Sequence, residues 1–241
     1  SDLAKSIGRG ILGFTECLIK DTPDIVIVFG DRIEPFAAAI SASTMNIIVA
    51  HINGGDNGFG DIDNNIRHAI TKFAHLHFTA SKKSMTRVLK LGEEDWRVFQ
   101  VGALALDTIL KENFLSKDEL QKKYNLFDLP YILVSYHPAT IEWEEAESQM
   151  RLVMKAIITI TDQEKLGIVI TYPNAYPGGY QIIKIIKEFS LQNKNIMIFE
   201  NFPHVDYTSL MANSRVLVGN SSSGIIEAPS LGVPYVCIRA N

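Results

Sequence analysis

The stretch Gly219-Asn220-Ser221-Ser222-Ser223-Gly224 gathers hydroxyls and flexible backbone directly after a short apolar run, Val216-Leu217-Val218. Where Ser and Gly enter a helix, side-chain hydroxyls and the free N–H groups of the first turn face an anion, and the positive helix end adds to them. That combination suits a diphosphate. Glu227 follows one turn later, and a carboxylate near a bound phosphate needs its own reason, such as accepting hydrogen bonds from ribose hydroxyls. The residues then point to a nucleoside diphosphate. The plain alternative is a run of serines capping a helix.

The densest polar segment runs from His51 through Asn53-Gly54-Gly55-Asp56 to Asp63, Arg67 and His68. Its glycines let backbone approach a ligand closely, or serve a long surface turn. Asp63, Arg67 and His68 lie at i, i+4 and i+5 entering a helical pattern, so a carboxylate and a guanidinium share one face. A capping aspartate with a surface ion pair has the same spacing and carries little energy. Asp31, in Gly30-Asp31-Arg32, reads equally as a functional carboxylate or a helix cap. His137 closes an apolar run, where it is either a satisfied strand-end histidine or a phosphate donor or acid–base group. Asn174 lies in the turn-rich segment Tyr172-Pro173-Asn174-Ala175-Tyr176-Pro177-Gly178-Gly179, which opens a helix whose N–H groups can meet an anion.

Parallel sheets bring such groups to one edge, because their ligands bind beyond the carboxyl ends of the strands. Strands are expected over residues 25–29, 47–51, 75–79, 97–101, 131–136, 167–171, 196–199, 216–218 and 234–238. Helical patterns cover 34–43, 64–73, 82–91, 105–112, 143–161, 179–190, 207–212 and 224–231. The strands are apolar along their length rather than alternating, which is the pattern of strands buried on both faces by crossover helices. A polar break over 116–130 separates the first group of strands from the second, which fits two doubly wound lobes better than one long sheet. The expected division is 1–128 and 129–241. The chain opens on a helix, 3–19, and stops just after a strand, so the expectation is an α/β chain truncated at both ends.

The composition, 46% hydrophobic and 21% charged over 241 residues, is that of a folded globular chain. A net charge of −4 argues against a nucleic-acid partner, which needs clustered Lys and Arg. No apolar run reaches membrane-spanning length, so no membrane partner is expected. Cys17 and Cys237 are far apart, without metal-ligand spacing, which favours a reducing compartment and a cytoplasmic location.

Taken together, several separated segments resemble the UDP-N-acetylglucosamine 2-epimerases, and more closely their hydrolysing branch. They are Val28-Phe29-Gly30-Asp31-Arg32, the His51-to-His68 loop with Arg67-His68-Ala69-Ile70-Thr71-Lys72, Tyr136-His137-Pro138-Ala139-Thr140, and the stretch from Asn220 to Gly232. The resemblance implies two Rossmann-like lobes of GT-B type, with the nucleotide on the second and the sugar in the cleft. It implies catalytic roles for Asp31, Asp63 and Arg67, with His68 beside them. It further implies diphosphate contacts from His137, Ser221 and Ser222, a ribose contact from Glu227, and Asn174 lining the cleft; Gly224, in the same turn, is expected among the substrate-binding residues. The partner it implies is a UDP-sugar, the cofactor none, the metal none, and the assembly a homo-oligomer.

One position departs from the family pattern. Asn53 stands where several hydrolysing members carry a catalytic glutamate, and an amide cannot take a proton from carbon. Either Asp56 or another carboxylate acts instead, or the substrate and role differ. The expected reaction is elimination of UDP across C1–C2 of a UDP-2-acetamido sugar, followed by hydration of the glycal to an N-acetylmannosamine-type sugar. A non-hydrolysing epimerase, a GT-B glycosyltransferase and a degenerate nucleotide-sugar-binding protein stand as alternatives.

Overall fold

A computed structural model describes residues 2–56, 62–138 and 142–238. They cluster into two compact units, residues 1–104 and 105–241. Among the described residues no helix is long and apolar enough to cross a membrane.

In the first unit β1 (Ile25–Phe29), β2 (Ile48–Ile52), β3 (Leu76–Thr79) and β4 (Val98–Gln100) form a parallel sheet in that order. Helices α1 (Asp2–Asp21), α2 (Ile33–Thr44), α3 (Ile62–Phe73) and α4 (Lys82–Lys90) connect or flank them. The small residues Ala38, Ala39 and Ala42 of α2 are buried in the core with Leu18, Val28, Val49, Ile66 and Ile70. Residues this small let helices approach closely: a Cβ on Gly10 of α1 would stand 3.0 Å from that of Ala37. The expectation that every strand is buried on both faces fails at β1. Val28 is buried, but Ile25, Ile27 and Phe29 are 47%, 68% and 54% exposed, so among the described residues only one face of this strand is covered.

The second unit begins with α5 (Leu104–Lys111) and α6 (Lys117–Tyr124). Its parallel sheet runs β7 (Ile196–Phe199), β6 (Gly167–Thr171), β5 (Tyr131–Ser135), β8 (Val216–Gly219), β9 (Tyr235–Cys237). Here both faces are covered. Met150, Met154 and Ile157 of α7 (Ala146–Glu164), with Ile182, Ile185 and Ile186 of α8 (Gly179–Gln192), fill one side. Leu120 of α6 and Leu210 and Met211 of α9 (His204–Ala212) fill the other. Leu120 and Leu126 pack against Tyr131 and Leu133, so the division between units falls before α5 rather than at 128/129.

The strand order reverses between β5 and β8, which makes their carboxyl ends a topological switch point. The helix expected over 224–231 is broken there. It is a single turn, α10 (Ser223–Ile226), followed by a 3₁₀ turn, Ala228–Leu231. Pro229 explains the break, since its ring would meet the carbonyl four residues earlier in a continuous helix. A one-turn helix has little dipole, so hydroxyls and local N–H groups, not a long helix end, are what this turn offers an anion.

Candidate functional site

In the first unit the site groups leave the carboxyl ends of β1 and β2. Asp31 follows Gly30, whose φ of +74° turns the chain off the strand. Its carboxylate accepts a hydrogen bond from Nη2 of Arg67 on α3. The side chains are only 20% and 15% exposed, so each charge relies on the other, and stranding either costs about 3 kcal/mol. Burial, with the nearby Arg87 guanidinium, pulls Arg67 down to about 10, which leaves it a cation at neutral pH. The N-cap of α2 is Arg32; the Asp31 carboxylate is committed to Arg67 instead.

His51, fully buried on β2, holds this turn from beneath. Its Nε2 donates to the Gly30 carbonyl at 2.8 Å. A carbonyl only accepts, so the ring carries its proton on Nε2 and presents Nδ1, 3.3 Å from the Thr71 hydroxyl, as an acceptor. Burial outweighs the Gly30 hydrogen bond and pushes the imidazole down to about 4, so it stays neutral at neutral pH.

Asp56 is placed by α4. Ser84 Oγ donates to Asp56 Oδ1 at 2.5 Å, and Arg87 Nη1 donates to the carbonyl of Gly55. His68, on α3, is kept neutral by burial and by the positive charges of Arg67 and Arg87. Asp63 sits in the first turn of α3, partly buried. Oδ1 of Asn53, Oδ1 of Asn64, Nε of Arg67 and Nε2 of His68 are buried without partners among the described residues. Each such group costs about 1–3 kcal/mol unless something binds it, and a ligand is one such partner. Part of the polar loop, residues 57–61, lies outside the described residues.

In the second unit the site is built across the switch point. The side chain of Asn220, just after β8, accepts from the His137 backbone N–H at 2.8 Å and donates to the His137 carbonyl at 2.7 Å. This two-way amide clamp ties the ends of β5 and β8 together. Gly219 is required there, because a Cβ would lie 1.8 Å from the Ser135 carbonyl oxygen. Nδ1 of His137 accepts from the Asn174 N–H at 3.1 Å. That occupies its lone pair, and burial lowers its basicity, so the neutral ring presents an N–H at Nε2. An imidazole of this form can donate to a phosphate.

Ser221 Oγ lies 2.9 Å from Ser223 Oγ, Ser222 is exposed, and Tyr235 OH donates to the carbonyls of Gly219 and Ser221. Gly224 has a packing role, since a Cβ would stand 2.3 Å from the Tyr235 ring. Glu227 is buried between the two helical turns, its Oε1 3.1 Å from His204 Nε2. The structure thus groups His137, Asn174 and the Asn220 clamp in one cluster, with Ser221 and Glu227 on the adjoining turn. Thr140 and Ala139 of the expected motif lie outside the described residues.

Sequence reasoning did not single out His51, Ser84, Arg87 or His204. His204 follows the carboxyl end of β7, where the rule of reading beyond each strand would have found it. His51 interrupts an apolar strand, a signal that was present. Ser84 and Arg87 sit inside an ordinary amphipathic helix and carry no local signal.

A family model described as UDP-N-acetylglucosamine 2-epimerase matches residues 1–241. The chain is 38% identical over 237 residues to the UDP-N,N'-diacetylbacillosamine 2-epimerase (hydrolyzing) of Legionella pneumophila, covering 98% of this chain and 61% of that protein. It is 34% identical over 238 residues to the GDP/UDP-N,N'-diacetylbacillosamine 2-epimerase (hydrolyzing) of Campylobacter jejuni, covering 98% and 61%. The crystal structure of UDP-GlcNAc 2-epimerase from Neisseria meningitidis bound to UDP-GlcNAc has a similar fold, with a TM-score of 0.82 at 20% identity, over 100% of this chain and 66% of that one. The chain therefore spans 61% of the length of these two curated relatives.

Proposed function

The chain belongs to the UDP-N-acetylglucosamine 2-epimerase family, and from that premise we propose that the complete protein is a hydrolysing 2-epimerase acting on a UDP-2-acetamido sugar. The observation that carries this reading is the pair of fixed carboxylates in the first unit, Asp31 on Arg67 and Asp56 on Ser84. Elimination from a nucleotide sugar needs a placed base for a carbon acid and an acid–base partner beside it. Asp56 supplies the carboxylate that Asn53 does not.

In this reading Asp56 takes the proton from C2 while the C1–O bond breaks and UDP leaves with its electron pair. The departing diphosphate is bound by groups of the second unit, the Nε2–H of His137, the hydroxyls of Ser221 and Ser222 and local N–H groups, all neutral donors that stabilise developing negative charge. Glu227 takes the ribose hydroxyls, and Asn174 fixes His137. Water then adds to the glycal, hydroxide at C1 and a proton at C2 from the opposite face, with Asp31 and Asp63 handling protons and Arg67 and His68 orienting the ring. No cofactor takes part.

The similarity to two enzymes named for N,N'-diacetylbacillosamine, at 38% and 34% identity, makes the UDP-linked 2,4-diacetamido-6-deoxy sugar the first candidate substrate, ahead of UDP-N-acetylglucosamine. A homo-oligomer in the cytoplasm completes the proposal. The test is a UDP-release assay with NMR of the sugar product for both substrates. Recovery of the epimerised UDP-sugar without free UDP would sink the hydrolysing assignment.

A further inference from the structure

Helix α4 touches the site without contributing any of the groups that handle substrate in the reading above. Its first turn carries Ser81 as N-cap, whose Oγ accepts the Ser84 N–H at 3.1 Å. The Ser81 and Ser84 hydroxyls are 2.7 Å apart, and Ser84 Oγ is 2.5 Å from Asp56 Oδ1. A carboxylate can only accept, so the hydroxyl protons run in one direction: Ser81 to Ser84 to Asp56. Hydrogen bonds chained this way polarise and stiffen one another.

The backbone before Asp56 is held just as closely. Gly55 has φ +78°, and a Cβ there would lie 2.3 Å from the Ser84 carbonyl oxygen, so the loop rests directly on α4. One turn on, Arg87 gives Nη1 to the Gly55 carbonyl. A guanidinium carries five donors in a rigid fork, so one of them can hold a backbone carbonyl in a fixed direction. It joins that carbonyl to a region where Arg67 and His68 also feel its field.

We propose that Ser84 and Arg87 are positioning residues for catalysis, fixing the Asp56 carboxylate by gripping from α4 both one of its oxygens and the carbonyl of the residue before it. This deepens the function proposed above and rests on Asp56 being the group that removes the C2 proton. Displacing a reacting carboxylate by about 1 Å can cost on the order of 100-fold in rate, while a loop anchor with no catalytic bearing would change stability or binding instead.

The experiment uses the complete protein with UDP-N,N'-diacetylbacillosamine, following UDP release, with thermal midpoints measured on every variant. Asp56→Asn tests the underlying reading, with an expected loss in kcat of about 100-fold or more. Ser84→Ala and Arg87→Met are expected to lose about 10- to 100-fold in kcat with KM within about threefold and the midpoint unchanged. Ser84→Thr and Arg87→Lys, which keep a hydroxyl and a cationic donor, should recover most of the rate. If Asp56→Asn keeps wild-type kcat, the base assignment falls and this proposal with it. If Asp56→Asn is inactive while Ser84→Ala and Arg87→Met keep kcat, or lose it only together with the thermal midpoint, the positioning role is overturned and the base assignment stands. Should Arg87→Met not fold, the Ser84→Ala and Ser84→Thr pair decides on the same criteria.

Discussion

Asp31 and Arg67 stand 36 residues apart in the chain and share one ion pair. Replacing Arg67 with Met should leave Asp31 as a nearly buried charge without its partner and lower stability by about 3 kcal/mol, read from urea unfolding. Asp31→Asn should likewise destabilise, because it leaves the Arg67 cation without its counter-charge, and should in addition cut the turnover of the folded fraction by about 100-fold, the scale of a lost acid–base group, with UDP binding retained. His51 makes a pH prediction. Its folded-state value of about 4 lies below the ordinary 6.5, so below pH 6.5 the unfolded chain binds a proton that the folded chain refuses. Stability is therefore fully present above pH 6.5 and falls as pH drops toward 4, by about 3 kcal/mol. Denaturant midpoints from pH 7 to 4 should show this slope, and His51→Gln, which keeps a donor for Gly30, should flatten it. The candidate acids and the serine turn were legible because they follow strands. The pairing was not: helical spacing brings Asp63 to the same face as Arg67, whereas the link to Asp31 requires knowing that α3 packs beside β1. The role of His51 likewise depends on the β1–β2 register, which places it beside Val28.

At the scale of elements, the junction of β5 and β8 organises the second unit's site. Gly219 and Asn220 fix it by different means, one by having no side chain and the other by clamping His137. Gly219→Ala would drive a methyl into the Ser135 carbonyl, so the strands must part and the second unit should lose cooperative unfolding or fail to accumulate. Asn220→Ala removes two hydrogen bonds and exposes their backbone partners to water only in part, which should cost about 2 kcal/mol. Calorimetry on that variant should show the loss together with weaker UDP binding. The strands themselves were readable from their Ile, Val and Leu runs, and every expected strand is present within a residue or two. The break at Glu227 was readable from Pro229 but was overridden by the apolar pattern on either side. The one-sided exposure of β1 was not readable, because Ile25, Ile27 and Phe29 look in sequence like any buried strand.

For the whole molecule, alternation of strands and helices was enough to give two parallel α/β units, and the comparisons agree with that fold class. The boundary between units was harder. Helix α6 is so polar that it reads as a linker, yet its Leu120 is 1% exposed in the second core and its Tyr124 packs edge-on against Phe199 and Phe202. In the proposed reading, function at this scale comes down to what the complete protein releases. Incubating the complete protein with UDP-N,N'-diacetylbacillosamine and resolving the products by NMR separates the two outcomes. A hydrolysing 2-epimerase yields free UDP and a free sugar inverted at C2, in equal amounts; a C2-inverted sugar still carrying its UDP, with no UDP released, would rule that activity out.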